Sequence, residues 1–169
     1  MSGEIVNRVA KSPLITFDLE EIYPEGKRMR LDLSQWLEQG FILREKEFRN
    51  ALKTFDFSPY QSAYVALHCS TEALLPAWAH LLVTSHLHQF AKKVVWGSLE
   101  DLETAIFQPL IEAIDLQAFK DKPVIIKGCA DKNIPPSAYI ALVEKLQPHV
   151  KSLMYGEACS SVPLYKKRK

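Results

Sequence analysis

An α/β fold is expected for this chain: a mostly parallel sheet of at least four strands with helices on both faces, plus an N-terminal α+β elaboration. Two observations predict it. The second half alternates short apolar runs with longer amphipathic stretches, in the order strand, helix, strand, helix, strand, helix, strand. That alternation needs crossovers, and crossovers make parallel strands. The runs are also nearly continuous in apolar residues, which suits strands covered on both faces.

The elements follow in chain order. "PLITFDLEEIY" reads as one strand, and Pro24 and Gly26 mark a turn after it. "DLSQWLEQG" reads as a short helix, with Asp32 or Ser34 near its cap and Gly40 just past its end. "REKEFRNALKTF" is a second helix, with Phe48, Ala51, Leu52 and Phe55 on one face. "SAYVALHCS" opens the alternating half as its first strand and ends at Cys69. In "TEALLPAWAHLLVTSHLHQFAKK" a helix is expected, with Leu74, Trp78, Leu81 and Leu82 on one face and Pro76 in the first turn. "KVVWGS" is the second run. In "SLEDLETAIFQPLIEAI" Ser98 is the expected N-cap, acids fill the first turn, and Pro109 should kink or interrupt the helix. "DKPVIIKGC" is the third run, "PPSAYIALVEKLQPH" a helix bounded by prolines, and "VKSLMYG" the fourth run.

At 169 residues the chain reads as one domain, 1–169, with 1–62 packed as an elaboration on a 63–169 core. The formal net charge of +1 gives no general drive toward nucleic acid, and the basic ending "YKKRK" reads as a solvated tail. No apolar run reaches the ~20 residues that span a bilayer, and the N-terminus lacks a leader pattern. A cytoplasmic protein with no nucleic-acid or membrane partner is expected. Three cysteines without a C-x-x-C pair fit a reduced compartment better than a disulfide framework.

Placement gives the cysteines their interest. Cys69 ends the first run, Cys129 ends the third, and Cys159 lies just beyond the fourth. In a parallel sheet all three belong to the carboxyl edge, where open α/β sheets bind ligands. A strand order of 2-1-3-4 would make their strands neighbours, ~4.8 Å apart. A sharp turn at Gly156 would carry the Cys159 thiol toward the other two, with Pro163 stiffening the exit. Glu157 is a further candidate ligand, acid/base group or plain turn residue. Cysteines that are merely packed are the competing reading. No G-x-G-x-x-G or P-loop pattern occurs. "HCSTEALL" has the strand–Cys–helix form of thiol phosphatases but no arginine in the loop that would cradle phosphate. Cys69 would still gain thiolate character from a helix starting directly after it. His68, His86 and His88 read as packed or solvated histidines, and Trp36 and Trp78 as core.

"FILREKEFRNALK", "LHCSTEALLPAWAHLL" and "KGCADKNIPPSAYIALVEKLQPHVKSLMYGEACSSVPLYKK" together resemble the bacterial domain-of-unknown-function family 2480 over nearly the whole chain. That resemblance carries no established activity. It does imply a place beside iron–sulfur cluster assembly, because members tend to be encoded near those genes, and it makes iron–sulfur assembly proteins the expected partners. The leading expectation is a metal-binding accessory factor in which Cys69, Cys129 and Cys159 hold one zinc or iron ion, since soft thiolates select such metals. Two alternatives stay open: a thiol-dependent enzyme or sulfur carrier with Cys69 as nucleophile, and an interaction module with buried structural cysteines.

Overall fold

A computed structural model describes residues 13–128 and 130–168. They fall into two compact units, one made of the chain up to Tyr23 together with Phe107 onward, the other of Pro24–Ile106.

The first unit holds a four-stranded sheet. Its strands are β1 (Ile15–Phe17), β5 (Pro123–Ile126), β6 (Ser152–Glu157) and β7 (Ser160–Lys166), in the order β1-β5-β6-β7. The first three run parallel and β7 is antiparallel to β6. The sheet is therefore mostly parallel, as expected. Val124, Ile126 and Leu153 share one face because side chains alternate along a strand. On that face they pack with Ala138, Leu142 and Leu146 of helix α4 (Pro136–Leu146), and Phe107, Ile111 and Phe119 complete the cluster. Pro135 and Pro136 start α4 where backbone donors have no intrahelical acceptor to lose.

The second unit holds a parallel sheet of three strands, β2 (Arg28–Asp32), β3 (Tyr64–His68) and β4 (Lys93–Trp96), in the order β2-β3-β4. Val65 and Leu67 pack with Phe48 and Leu52 of α1 (Glu45–Thr54) and with Ala79, Val83 and Leu87 of α2 (Ala77–Leu87). Trp36, Phe48 and Trp78 meet edge to face in this cluster. The opposite face carries Arg28, whose Nε donates to Glu103 Oε1 at 2.8 Å. Glu103 belongs to α3 (Leu99–Glu112), so this sheet has helices on both faces. The N-cap of α3 is Ser98, as expected. Its N–H and hydroxyl both donate to Asp101 Oδ2 at 2.7 Å, and its Oγ accepts the Asp101 N–H.

Several expectations are corrected. The four apolar runs do not share one sheet in the order 2-1-3-4. The first two pair with each other and with β2, and the last two pair with β1 and β7. Each sheet takes one strand from the N-terminal stretch. Strand β2 is not expected from the sequence because Arg28 and Arg30 interrupt its apolar pattern, and neither is β7, because Pro163 reads as a stiff exit and its last residues fall in the basic ending. Pro163 is tolerated because β7 is an edge strand. Residues 70–76 are not helical, and α2 starts only at Ala77, with Pro76 as N-cap. A proline disfavours helical backbone in the residue before it. Leu74 is 97% exposed in that loop, and the buried stripe of α2 is Ala79, Val83 and Leu87 instead. Pro109 does not end α3, which runs through it to Glu112. "DLSQWLEQG" forms only a single 3-10 turn, Leu33–Trp36, with Asp32 as its cap.

Candidate functional site

Cys69 follows the last residue of β3, the central strand of the second unit. Its half-buried Sγ lies 3.3 Å from Thr71 Oγ1. The Thr71 hydroxyl has one proton, and it goes to the Gly40 carbonyl at 2.6 Å. The thiol is therefore the donor in the first contact. With α2 beginning eight residues later, no helix N-terminus adjoins it. Both facts favour a packed, hydrogen-bonded thiol over a nucleophile at this position.

A polar network ties the neighbouring loops together. Asp32 ends β2, and its Oδ1 accepts the N–H of Ser34 at 2.9 Å and of Ser70 at 3.0 Å, while the Ser34 and Ser70 hydroxyls lie 2.9 Å apart. Burial by itself would raise the Asp32 carboxyl, but hydrogen bonds from Ser70 and Ser34 outweigh it and bring its pKa down to about 2. A depressed carboxyl stabilises the fold above its unfolded pKa, and that contribution disappears as pH falls through the folded value. Asp32→Asn is thus expected to be less stable than wild type by up to about 2 kcal/mol near neutral pH. In urea unfolding the gap should narrow below about pH 4 and close toward about pH 2; a gap independent of pH would show that the charge of Asp32 is not what holds these loops.

Beside this network, Arg30, His68, Gly97 and Ser98 line a cleft of about 250 Å³ at the carboxyl ends of the strands. Sequence reasoning took His68 as a packed side chain and did not single out Arg30. Only the pairing of β2 with β3 brings the two together.

In the first unit the carboxyl edge carries a different set of groups. Lys127, just after β5, donates to Asp18 Oδ2 at 2.6 Å and lies 3.9 Å from Glu20 Oε2. The bond to Asp18 is the main cause of its raised pKa, with smaller contributions from the fields of Glu20 and Glu157. Gly128 follows. A Cβ placed there would come within 3.1 Å of the Tyr155 ring and 3.2 Å of Gly156 Cα. The exit of β5 thus lies directly against the end of β6. Cys129 is the next residue and lies outside the described residues.

Cys159 is exposed in the two-residue connection between β6 and β7. The expected turn at Gly156 is not there. Gly156 sits inside β6, paired with Ser161, and the chain reverses at Ala158–Cys159. Glycine is required at 156 for another reason. Its φ is +123°, and a Cβ would lie 2.6 Å from the Ser160 carbonyl oxygen. Nor does Pro163 stiffen an exit from the sheet. It is a residue of β7, opposite Met154 at the register shift in the hairpin. Among the described residues, no group of three histidine, cysteine or acidic side chains is placed to hold a metal ion. Cys69 belongs to the second unit and Cys159 to the first.

A family model described as a protein of unknown function, DUF2480, matches residues 3–167. The chain belongs to DUF2480. No curated protein and no solved structure gives a match. In this DUF2480 protein no helix among the described residues is long and apolar enough to cross a membrane.

Proposed function

We propose that this DUF2480 protein is a metal-handling accessory factor, and that Cys129 and Cys159 supply thiolates to a zinc or ferrous ion at the carboxyl edge of the first unit. The observation that carries the reading is the contact of Gly128 with Gly156. Cys129 directly follows Gly128 and Cys159 is the third residue after Gly156, so in sequence both cysteines come just after the same pair of strand ends. Glu157 flanks the hairpin turn and offers a carboxylate to the same edge. Two thiolates and a carboxylate suit a soft or borderline divalent ion, and they leave a coordination position for water or for a group from a partner. An open position favours exchange of the ion over a purely structural role. Iron–sulfur assembly proteins are the proposed partners.

The test is elemental analysis of untagged protein reconstituted with zinc or ferrous iron under reducing conditions. Wild type is expected to bind one ion, and Cys129→Ser and Cys159→Ser are each expected to lose it, because serine is not deprotonated at neutral pH. Cys69→Ser is the control: Cys69 belongs to the other unit, and this variant is expected to keep its full metal content. Wild-type protein that binds neither metal, with a melting temperature unchanged by chelator, would end the metal reading.

A further inference from the structure

The entry side of the first unit's sheet carries a row of lysines. The Lys151 N–H donates to the Lys122 carbonyl at 2.9 Å, and the Lys167 N–H to the Lys151 carbonyl at 3.0 Å. Backbone pairing therefore places one lysine at the same level on each of three neighbouring chains, at the ends of β5, β6 and β7. Strands lie ~4.8 Å apart, and like charges directly opposite one another oppose folding. The segments 120–122, 149–151 and 165–168 hold six lysines and arginines and one carboxylate, Asp121, which pairs with Lys167 at 3.1 Å. All six cations are exposed, in a chain whose net charge is only +1. Charge is thus concentrated locally where composition gives no hint of it.

A mostly apolar groove of about 360 Å³ runs between α4 and the β6–β7 hairpin, walled by Ile126, Tyr139, Ile140, Val143, Tyr155 and Leu164, with the exposed Glu144 and with Gln147 also lining it. Ile140 is 60% exposed and Leu164 48%. The groove ends toward the lysine row. Leu164 precedes Lys166 by two residues, and Gln147, on the groove wall at the end of α4, precedes Lys151 by four. A second strand is poorly placed to extend the sheet here. In a two-residue hairpin the flanking pair, Glu157 and Ser160, is hydrogen-bonded, so Pro163, three positions on, falls where a backbone N–H would face outward. Proline has none to offer, and the edge is blunted.

We propose that this face docks an acidic amphipathic helix of a partner protein. Its apolar stripe would lie in the groove and its carboxylates over the lysine row. Charge complementarity selects an acidic segment. The apolar walls distinguish it from a phosphodiester backbone, which has no apolar stripe to bury, and the recessed shape distinguishes it from a bilayer surface. The inference is independent of the thiols.

The probe is a fluorescein-labelled synthetic helix with leucines at i, i+4 and i+7 among glutamates, titrated with the full chain and read by anisotropy. Saturable binding is expected. It should weaken by about tenfold or more in Lys122→Glu/Lys151→Glu and, separately, in Ile140→Glu, and salt should weaken it further. All the substituted side chains are exposed, and circular dichroism checks that the variants fold. Absence of saturable binding would overturn the proposal, as would binding that neither variant changes. Preferential binding of a single-stranded oligonucleotide or of phosphatidylserine vesicles would also overturn it, by assigning the lysines to another class of partner.

Discussion

Arg28→Ala is expected to destabilise the protein by about 3–5 kcal/mol, because it strands a carboxylate in the interior. Glu103 is 2% exposed, and its oxygens receive Arg28 Nε at 2.8 Å and Nη2 at 3.4 Å. The same guanidinium satisfies two further acceptors, the carbonyls of Pro24 at 2.8 Å and Gly26 at 2.7 Å, and lies over the Tyr64 ring. One side chain thus holds the turn before β2, the start of β3 and the helix on the far face. Lysine cannot replace it, since an ammonium has no planar fork with which to serve the carboxylate and both carbonyls. Arg28→Lys should recover only part of the loss. Replacing both partners with apolar groups, Arg28→Met with Glu103→Leu, should cost less than Arg28→Ala alone, because no charge is then left buried. Urea unfolding of the four proteins measures this. A loss below about 1 kcal/mol for Arg28→Ala would mean that Glu103 finds water or another partner.

Phe48→Ala is the second large effect, at about 3–5 kcal/mol. Phe48 is fully buried in α1, with ring centroids 5.7 Å from Trp36 and 5.9 Å from Trp78, both near edge-on. Truncation removes the ring's transfer free energy and leaves a cavity between two large rigid side chains that cannot easily close it. Phe48→Leu should cost less because it fills much of the space, though it gives up the aromatic contacts. Equilibrium unfolding followed by tryptophan fluorescence suits the site, since two of the three tryptophans border it. A cost below about 1.5 kcal/mol would show that the helix shifts to fill the gap.

The cysteine argument shows how far sequence spacing could reach. Cys69 does follow a parallel strand, and Cys159 does follow the fourth apolar run. What spacing could not reveal is that these strands lie in different sheets, or that the Thr71 hydroxyl, itself committed to Gly40, receives the Cys69 thiol. The juxtaposition of Gly128 with Gly156 needed the register of β5 on β6. The lysine row was hidden in the same way, because Lys122, Lys151 and Lys167 are far apart in the chain and meet only through strand pairing.

By itself the sequence determined the elements whose signals are local. Ser98 caps α3 through Asp101, prolines open α4, Asp32 caps a turn, and the apolar runs of β3, β5 and β6 are strands. These signals act within a few residues, where capping bonds and fixed proline torsions do not depend on the rest of the molecule. Tertiary structure alone decided which strands pair, that β2 and β7 exist at all, and which charges and thiols share an edge. A parallel strand gets its partner from a distant part of the chain, and a continuous apolar run is equally compatible with either sheet. The choice lies in how two sets of side chains pack on their helices, a property that belongs to no single stretch of sequence.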